Sequence, residues 1–349
     1  MSIRKNGDRG MYHMGKGRIF RIVCGIMIAI IVVILVVLFV SDDDTYSSVS
    51  IDESVPYADT TSWMGNLSDD LYLSEITIPG THDSCARNVM LGYVMRCQDT
   101  DVSEQLENGY RYLDFRVALD EKTNKVKMVH NFASCHEDGN LFSDYLYFDD
   151  VCADVYSFLQ QYPTETVIVN IKIEDDDHSV SDIQNLLTEQ ISANKDYWYT
   201  EDEIPLLSDA RGRIVLATRF SDAAATDMMG LNMQWAEQNN NTPIDIPYEL
   251  YVYNNFRVWI QDRYKYNVED KYEAIVDGLE NCEADENTLF LNFVSTSGDG
   301  KIGHPRGYAN TLNELLMEYQ LKDDTSYGII IVDFGNKDLA RHIYYTNQF

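Results

Sequence analysis

The chain has 349 residues, 45% hydrophobic and 12% aromatic, which is enough apolar mass for a large core and too much for a small stapled module. Asp and Glu number 57 against 27 Lys and Arg, a formal net charge of −30 at pH 7, which argues against a nucleic-acid binder.

That charge is unevenly spread. Residues 1–40 hold six basic residues and one Asp, net +5, so residues 41–349 carry −35. Residues 1–18 form a short basic segment with Arg4, Lys5, Arg9, Lys16 and Arg18. Residues 19–40, IFRIVCGIMIAIIVVILVVLFV, carry one charge at Arg21 and are otherwise unbroken in apolar character. At ~1.5 Å per residue this stretch matches a hydrocarbon core of roughly 30 Å. It is longer than the ~7–15 residues of a signal-peptide core, and no Ala-x-Ala cleavage pattern follows. We read it as one N-terminal transmembrane helix, a retained signal anchor. The basic flank before it and Asp42, Asp43 and Asp44 after it place the N-terminus in the cytoplasm and the rest outside. Residues 41–62, rich in Ser, Asp and Thr, read as a disordered acidic linker.

From Trp63 to Phe349 the pattern changes. Apolar runs recur at 112–119, 125–132, 165–174, 212–220, 288–295 and 327–334, and read as strands. Between them, 148–163, 179–195, 267–282 and 309–321 carry apolar residues at helical spacing. Alternation of strand and helix over nearly 290 residues predicts a parallel α/β sheet, either open and doubly wound or closed as a (β/α) barrel. Polar residues at the ends of successive strands favour the barrel, because barrel strands converge at their C-terminal ends on one active face. They are His82 and Asp83 in SEITIPGTHDS, Arg116, His130, Lys172 with Glu174, Arg219, Asn292 and Asp333.

Two histidines, two carboxylates and several cations suit metal-free cleavage of a phosphodiester. One imidazole takes a proton from the attacking oxygen and the other returns one to the leaving oxygen, each oriented by a carboxylate. A guanidinium donates in a fork to phosphate oxygens. The six cysteines form no Cys-x-x-Cys or Cys/His zinc spacing, and no metal or cofactor is expected. Cys85 with Cys97 and Cys135 with Cys152 are the neighbours in sequence, but spacing leaves their pairing open.

The ordered motifs IPGTHDS, RYLDFRV, MVHN, TETVIVNIKIE, RGRIVLATRF, WIQDRY, LFLNFVS and IIIVDF resemble the X-domain of bacterial phosphatidylinositol-specific phospholipase C, over roughly residues 66–346. The resemblance implies an irregular (β/α) TIM-type barrel. It also implies cleavage of phosphatidylinositol, free or as a glycosylphosphatidylinositol anchor, to diacylglycerol and inositol 1,2-cyclic phosphate. On it, His82 is the general base oriented by Asp333, His130 with Asp83 is the general acid, and Arg116 clamps the phosphate. Lys172, Arg219 and Asp262 hold inositol hydroxyls over a Tyr264 platform. The partner implied is a phospholipid membrane. His130 is followed by Asn131 where the family usually has Gly, so that loop must take another path or hold Asn under strain. A glycerophosphodiester-type phosphodiesterase and a non-catalytic inositol- or glycan-binding barrel are the competing readings.

Overall fold

A computed structural model describes residues 23–32, 59–139, 143–220, 230–238, 247–283, 285–300, 303–323 and 325–347. The chain divides into two units, Met1–Asp44 and Thr45–Phe349. In the first, residues 23–32 are helical and expose Val23, Ile26, Met27, Ile28, Ile30, Ile31 and Val32. Among the described residues no helix is long and apolar enough to cross a membrane. The remainder of the span read at 19–40, the basic segment 1–18 and the linker over 41–58 lie outside the described residues.

Among the described residues of the second unit, twelve strands form one sheet. They are β1 (Ile78–Thr81), β2 (Tyr112–Asp120), β3 (Lys125–His130), β4 (Ala133–Ser134), β5 (Val167–Ile173), β6 (Trp198–Tyr199), β7 (Ile214–Thr218), β8 (Leu231–Asn232), β9 (Glu249–Val252), β10 (Arg257–Gln261), β11 (Thr288–Phe293) and β12 (Ile329–Val332). The order β6-β7-β5-β2-β1-β12-β11-β10-β9 is parallel except at the β9–β10 edge, and β8 runs parallel beside the upper half of β7. Among the described residues no ladder joins β8 to β10. Gln238 bridges that seam instead, its side chain donating to the Ile260 carbonyl at 3.3 Å and accepting from the Asp262 N–H at 2.8 Å. The barrel is therefore irregular.

Strand alternation sorts the side chains into an interior and an outer layer. Ile78, Tyr112, Ile168, Val215, Ala217, Val258, Ile260, Leu291, Phe293, Ile329 and Ile331 share the interior core. Leu113, Phe115, Val167, Val169, Ile171 and Leu216 face outward against the helices Phe148–Gln161 and Val180–Ala193. Ile330 and Val332 face outward against Val268–Asn281, Pro305–Glu318 and Lys337–Tyr344. Lys337–Tyr344 was not expected; the other four stand close to their predicted spans, except that Pro305–Glu318 begins four residues early, with Pro305 at its first turn, where its missing N–H costs nothing. Interior Gly80 is needed because a Cβ there would come 2.9 Å from the Tyr112 ring that fills the barrel.

Two expectations need correction. The run at 125–132 is no barrel strand: β3 returns antiparallel to β2, pairing Met128 with Val117. The folded domain also begins before Trp63, since Thr60 is buried and its carbonyl accepts from Arg111 at 3.0 Å. The cysteines are all free thiols, so neither neighbouring pair is bridged.

At the end of the barrel where β2 and β5 begin, fully buried Arg111 donates to Glu165 from Nε and Nη2 at 3.1 and 3.0 Å and to the Leu106 and Tyr110 carbonyls. Glu165 in turn accepts from the Met64 and Gly65 N–H groups, fastening residues 60–65 across the barrel. Breaking a buried pair strands its partner charge, at a cost of about 3–5 kcal/mol. Glu165→Ala is expected to lower unfolding stability by that amount without touching the opposite face. Denaturant unfolding checks the loss, and an unchanged midpoint would refute it.

Candidate active site

Alternation also dictates what rises to the C-terminal mouth. Ile78 and Gly80 lead to His82, Tyr112 to Asp114 and Arg116, and Ile168 and Asn170 to Lys172. Val215 and Ala217 lead to Arg219, Val258 and Ile260 to Asp262, and Ile329 and Ile331 to Asp333. Each polar residue is the next inward position above apolar or amide layers. Apart from the buried Asp114, they line one open pocket of about 1190 Å³ together with His130 and Tyr264. Asn292 does not reach it. Its neighbours Leu291 and Phe293 point inward, so Asn292 points out, accepting from Gln261 at 2.9 Å and donating to the Ile275 carbonyl at 3.0 Å. It is a support, and the inward position on that strand passes to Ser295.

His82 Nδ1 lies 2.8 Å from Asp333 Oδ1. Its Nε2 faces Arg116 Nη2 at 2.9 Å and Asp83 Oδ2 at 3.3 Å. These neighbours favour opposite protonation states. A neutral ring donates Nδ1–H to Asp333 and accepts from Arg116, whereas the imidazolium turns an Nε2–H toward Asp83. Burial pulls the His82 pKa down, but Asp83 and Asp333 outweigh it and raise it to about 9. Across Asp83 stands His130, its Nε2 3.3 Å from the same Oδ2 and its Nδ1 2.6 Å from the Met95 carbonyl. The carboxylate oxygen thus sits between two imidazoles.

Arg116 fills the centre. Its Nε lies 2.7 Å from Asp83 Oδ1, its Nη2 3.2 Å from Asp114 Oδ2 and its Nη1 2.8 Å from Glu174 Oε1. Burial opposes its charge, yet Asp83, Glu174 and Asp114 hold the guanidinium well above its ordinary range. In return Arg116 is the chief group drawing the Asp114 and Glu174 carboxyls below theirs, against their burial. Arg116 is not at a strand end, since β2 continues to Asp120 as a hairpin with β3. That hairpin brings His130 back to the level of Arg116.

A second cluster lies beside it. Lys172 Nζ is 2.9 Å from Glu174 Oε1 and 3.8 Å from Glu237 Oε1. Arg219 stacks 3.6 Å over the Trp235 ring and stands 3.7 Å from Asp262 Oδ2, which accepts from Trp235 Nε1 at 3.0 Å. The Tyr264 hydroxyl donates to Glu237 Oε2 at 2.9 Å. Trp235 is therefore buried behind two lining residues, Arg219 and Asp262, while Trp198 is bound to Tyr156 away from them.

Three residues here have left-handed backbone: Asp83 (φ 42°), Asn131 (φ 55°) and Phe334 (φ 50°). Asn131 meets the expectation of strain, and its N–H donates to Glu174 Oε2 at 2.6 Å. Phe334, with no polar side chain to favour that region, marks strain stored next to Asp333.

Four residues around the site were not expected. Asp114 is two positions from Arg116 on one strand, so its shared face was readable. Buried Gln98 donates to the His82 and Val332 carbonyls at 2.8 and 3.1 Å, tying together the ends of β1 and β12 that carry His82 and Asp333. Gln98, Trp235 and Glu237 lie in segments with no periodic signal.

The family model for the phosphatidylinositol-specific phospholipase C X domain matches residues 76–220. The chain is 26% identical over 310 residues to the 1-phosphatidylinositol phosphodiesterase of Staphylococcus aureus (strain Newman), covering 82% of this chain and 94% of that protein. It is 27% identical over 306 residues to the protein of that name from Listeria monocytogenes, covering 83% and 86%. Among solved structures, the Listeria monocytogenes phosphatidylinositol-specific phospholipase C superposes with a TM-score of 0.64 at 26% identity, over 84% of this chain and all of that one. A Staphylococcus aureus phosphatidylinositol-specific phospholipase C gives a TM-score of 0.69 at 23% identity, over 83% and 98%, which bears on the fold.

Proposed function

The chain belongs to the bacterial phosphatidylinositol-specific phospholipase C family, and from that premise we propose that it cleaves phosphatidylinositol by acid–base catalysis without a metal. The observation that carries this is Asp83, one oxygen 3.3 Å from each imidazole and the other 2.7 Å from Arg116. Neutral His82, held by Asp333, takes the proton of the inositol 2-hydroxyl. That oxygen attacks the phosphorus, and the intramolecular geometry supplies much of the rate. Arg116 bears the charge that grows on the phosphate oxygens. His130, with Asp83 behind it, protonates the departing diacylglycerol oxygen, leaving inositol 1,2-cyclic phosphate. Lys172, Arg219 and Asp262 hold the ring hydroxyls over Tyr264, and Glu237 joins them.

Product analysis on phosphatidylinositol micelles tests this. Diacylglycerol and the cyclic phosphate are expected at equal rates with and without excess EDTA, because Arg116 already occupies the cationic position. Activity lost to the chelator and restored by calcium would overturn the reading. The same assay on a glycosylphosphatidylinositol-linked protein tests the wider substrate.

A pH profile separates the two imidazoles. Only neutral His82 can act as base, so kcat/KM should rise about tenfold per pH unit on the acid side until pH approaches about 9. Asp333→Asn removes one of the raising carboxylates, so that limb should move to lower pH while the plateau falls. An acid limb unmoved by Asp333→Asn would show that another group is the base. The same pairing stabilises the fold fully below the ordinary value of 6.5, and this contribution is lost as pH rises through about 9.

We further propose that residues 19–40 anchor the enzyme, N-terminus in the cytoplasm and barrel outside. Supporting this are the apolar run, its basic and acidic flanks, and the exposed apolar helix over residues 23–32. The full chain should partition into the detergent phase and residues 59–349 into the aqueous phase. Equal partitioning would refute the anchor.

A further inference from the structure

Among the described residues, one group of side chains has the spacing to hold a metal ion: His82, Asp83 and Cys97, with ligand atoms all within 4.8 Å of one another. Cys97 takes no part in the proposed chemistry, yet it lies on the pocket floor, its Sγ 3.9 Å from Asp83 Oδ2. Around a tetrahedral zinc with bonds of ~2.0–2.3 Å, ligand atoms stand roughly 3.3 Å apart for N and O and roughly 3.6 Å apart for S and O. The observed separations from Asp83 Oδ2 are 3.3 Å to His82 Nε2 and 3.9 Å to Cys97 Sγ. The third edge, between the His82 ring and Cys97 Sγ, lies within 4.8 Å, so closing the site takes a Cys97 side-chain movement of up to about 1 Å.

A second observation points the same way. Metal-bound histidines ordinarily give their other ring N–H to a carboxylate or a backbone carbonyl, which fixes the tautomer and aims the free lone pair at the metal. His82 has this arrangement, with Nδ1 on Asp333 and Nε2 toward Asp83 Oδ2. So does His130, with Nδ1 on the Met95 carbonyl and Nε2 3.3 Å from the same oxygen. The nearby carboxylates of Asp83, Asp114, Glu174, Asp262 and Asp333 outnumber the cations Arg116, Lys172 and Arg219. A metal at His82 Nε2 displaces one hydrogen bond from Arg116, which keeps Asp83 Oδ1, Asp114 and Glu174.

The geometry points to an inhibitory zinc site inside the catalytic pocket, formed by His82, Asp83 and Cys97, with water or His130 as fourth ligand. As the S–Zn and N–Zn bonds form, the thiol proton and the proton carried by His82 Nε2 leave to solvent, and no electron is transferred. The ion takes the lone pair that His82 uses as base, so occupancy and turnover are mutually exclusive. Thiolate and imidazole select zinc over the hard cations magnesium and calcium.

The test titrates zinc chloride against the full-length enzyme on a soluble phosphodiester substrate, beside Cys97→Ala and the control Cys85→Ala. Zinc should inhibit wild type and Cys85→Ala alike, reversibly by chelator. Cys97→Ala should need at least about tenfold more zinc, since losing even an outer partner of a metal ligand costs 10–100-fold in affinity. Equal sensitivity of wild type and Cys97→Ala, or inhibition by calcium at the same concentration, would overturn the site. The inhibition assay rests on the phospholipase reading, but a cobalt titration does not. Cobalt(II) should give a thiolate charge-transfer band in wild type and Cys85→Ala that is absent from Cys97→Ala. If Cys97→Ala does not fold, the wild-type spectrum with Cys97→Ser decides. No band in wild type, or an undiminished one in Cys97→Ser, refutes the proposal even if the protein proves not to be a phospholipase.

Discussion

His82→Ala and His130→Ala are each expected to lower kcat about 10²–10⁴-fold, the range of a positioned acid or base. The two imidazoles face one carboxylate oxygen, at 3.3 Å each, so proton uptake on one side and release on the other belong to a single relay. Removing either breaks that relay. The double variant should therefore be little worse than either single one, as for other groups that act as a unit. Turnover on a soluble substrate checks this, with circular dichroism confirming that each variant is folded. His82 has only 17% of its side chain exposed and borders a large pocket, so truncation leaves space next to solvent and not a sealed void. A folded His82→Ala enzyme with near-normal turnover would require a different base. Multiplicative losses in the double variant would mean that the two histidines act in separate steps.

Much of this site was legible because barrel geometry turns strand periodicity into placement. His82, Arg219, Asp262 and Asp333 each follow their strand at the next inward position, and Lys172 lies near the C-terminal end of β5. The four long helices were equally readable, since each repeats apolar residues at helical spacing. The failures have the same physical origin. Asn292 was expected in the ring because it is polar and near a strand end, but a period of two turns it outward between Leu291 and Phe293. Applied to β2, the same period would have found Asp114. Strands of two residues, Trp198–Tyr199 and Leu231–Asn232, have no period to read. Trp235, Glu237 and Gln98 are placed by tertiary contacts alone: a ring under Arg219, a hydroxyl from Tyr264, and the ends of β1 and β12. The antiparallel return of β3 was also hidden. Its one signal was the connection at Glu121–Asn124, short enough for a hairpin and too short for the crossover that a parallel pair needs.

Arg116→Gln is expected to lower kcat by about 10²–10³-fold, the cost of removing one preorganised donor from a developing oxyanion. Its effect on stability distinguishes it from the histidine variants. Arg116 is the counter-charge of Asp83, Asp114 and Glu174, and without it three largely buried carboxylates face one another. Breaking such a pair costs about 3–5 kcal/mol. Because Asp114 and Glu174 are held below their ordinary pKa values in the native protein, their contribution is present above the usual carboxylate range and disappears as pH falls through the lowered values. In Arg116→Gln burial and mutual repulsion should instead raise both groups, so the variant is weakest at neutral pH and recovers as acid protonates them. The wild type loses stability over the same acid range, and the gap between the two melting curves should close from both sides. Arg116→Lys keeps the charge but not the planar fork, so it should recover most of the stability and little of the turnover. Melting temperatures from pH 3 to pH 8 and kcat on a soluble substrate give the two readouts. A stability gap independent of pH would show that Arg116 is held by packing and not by its carboxylates, and full turnover in Arg116→Lys would reduce the clamp to a point charge.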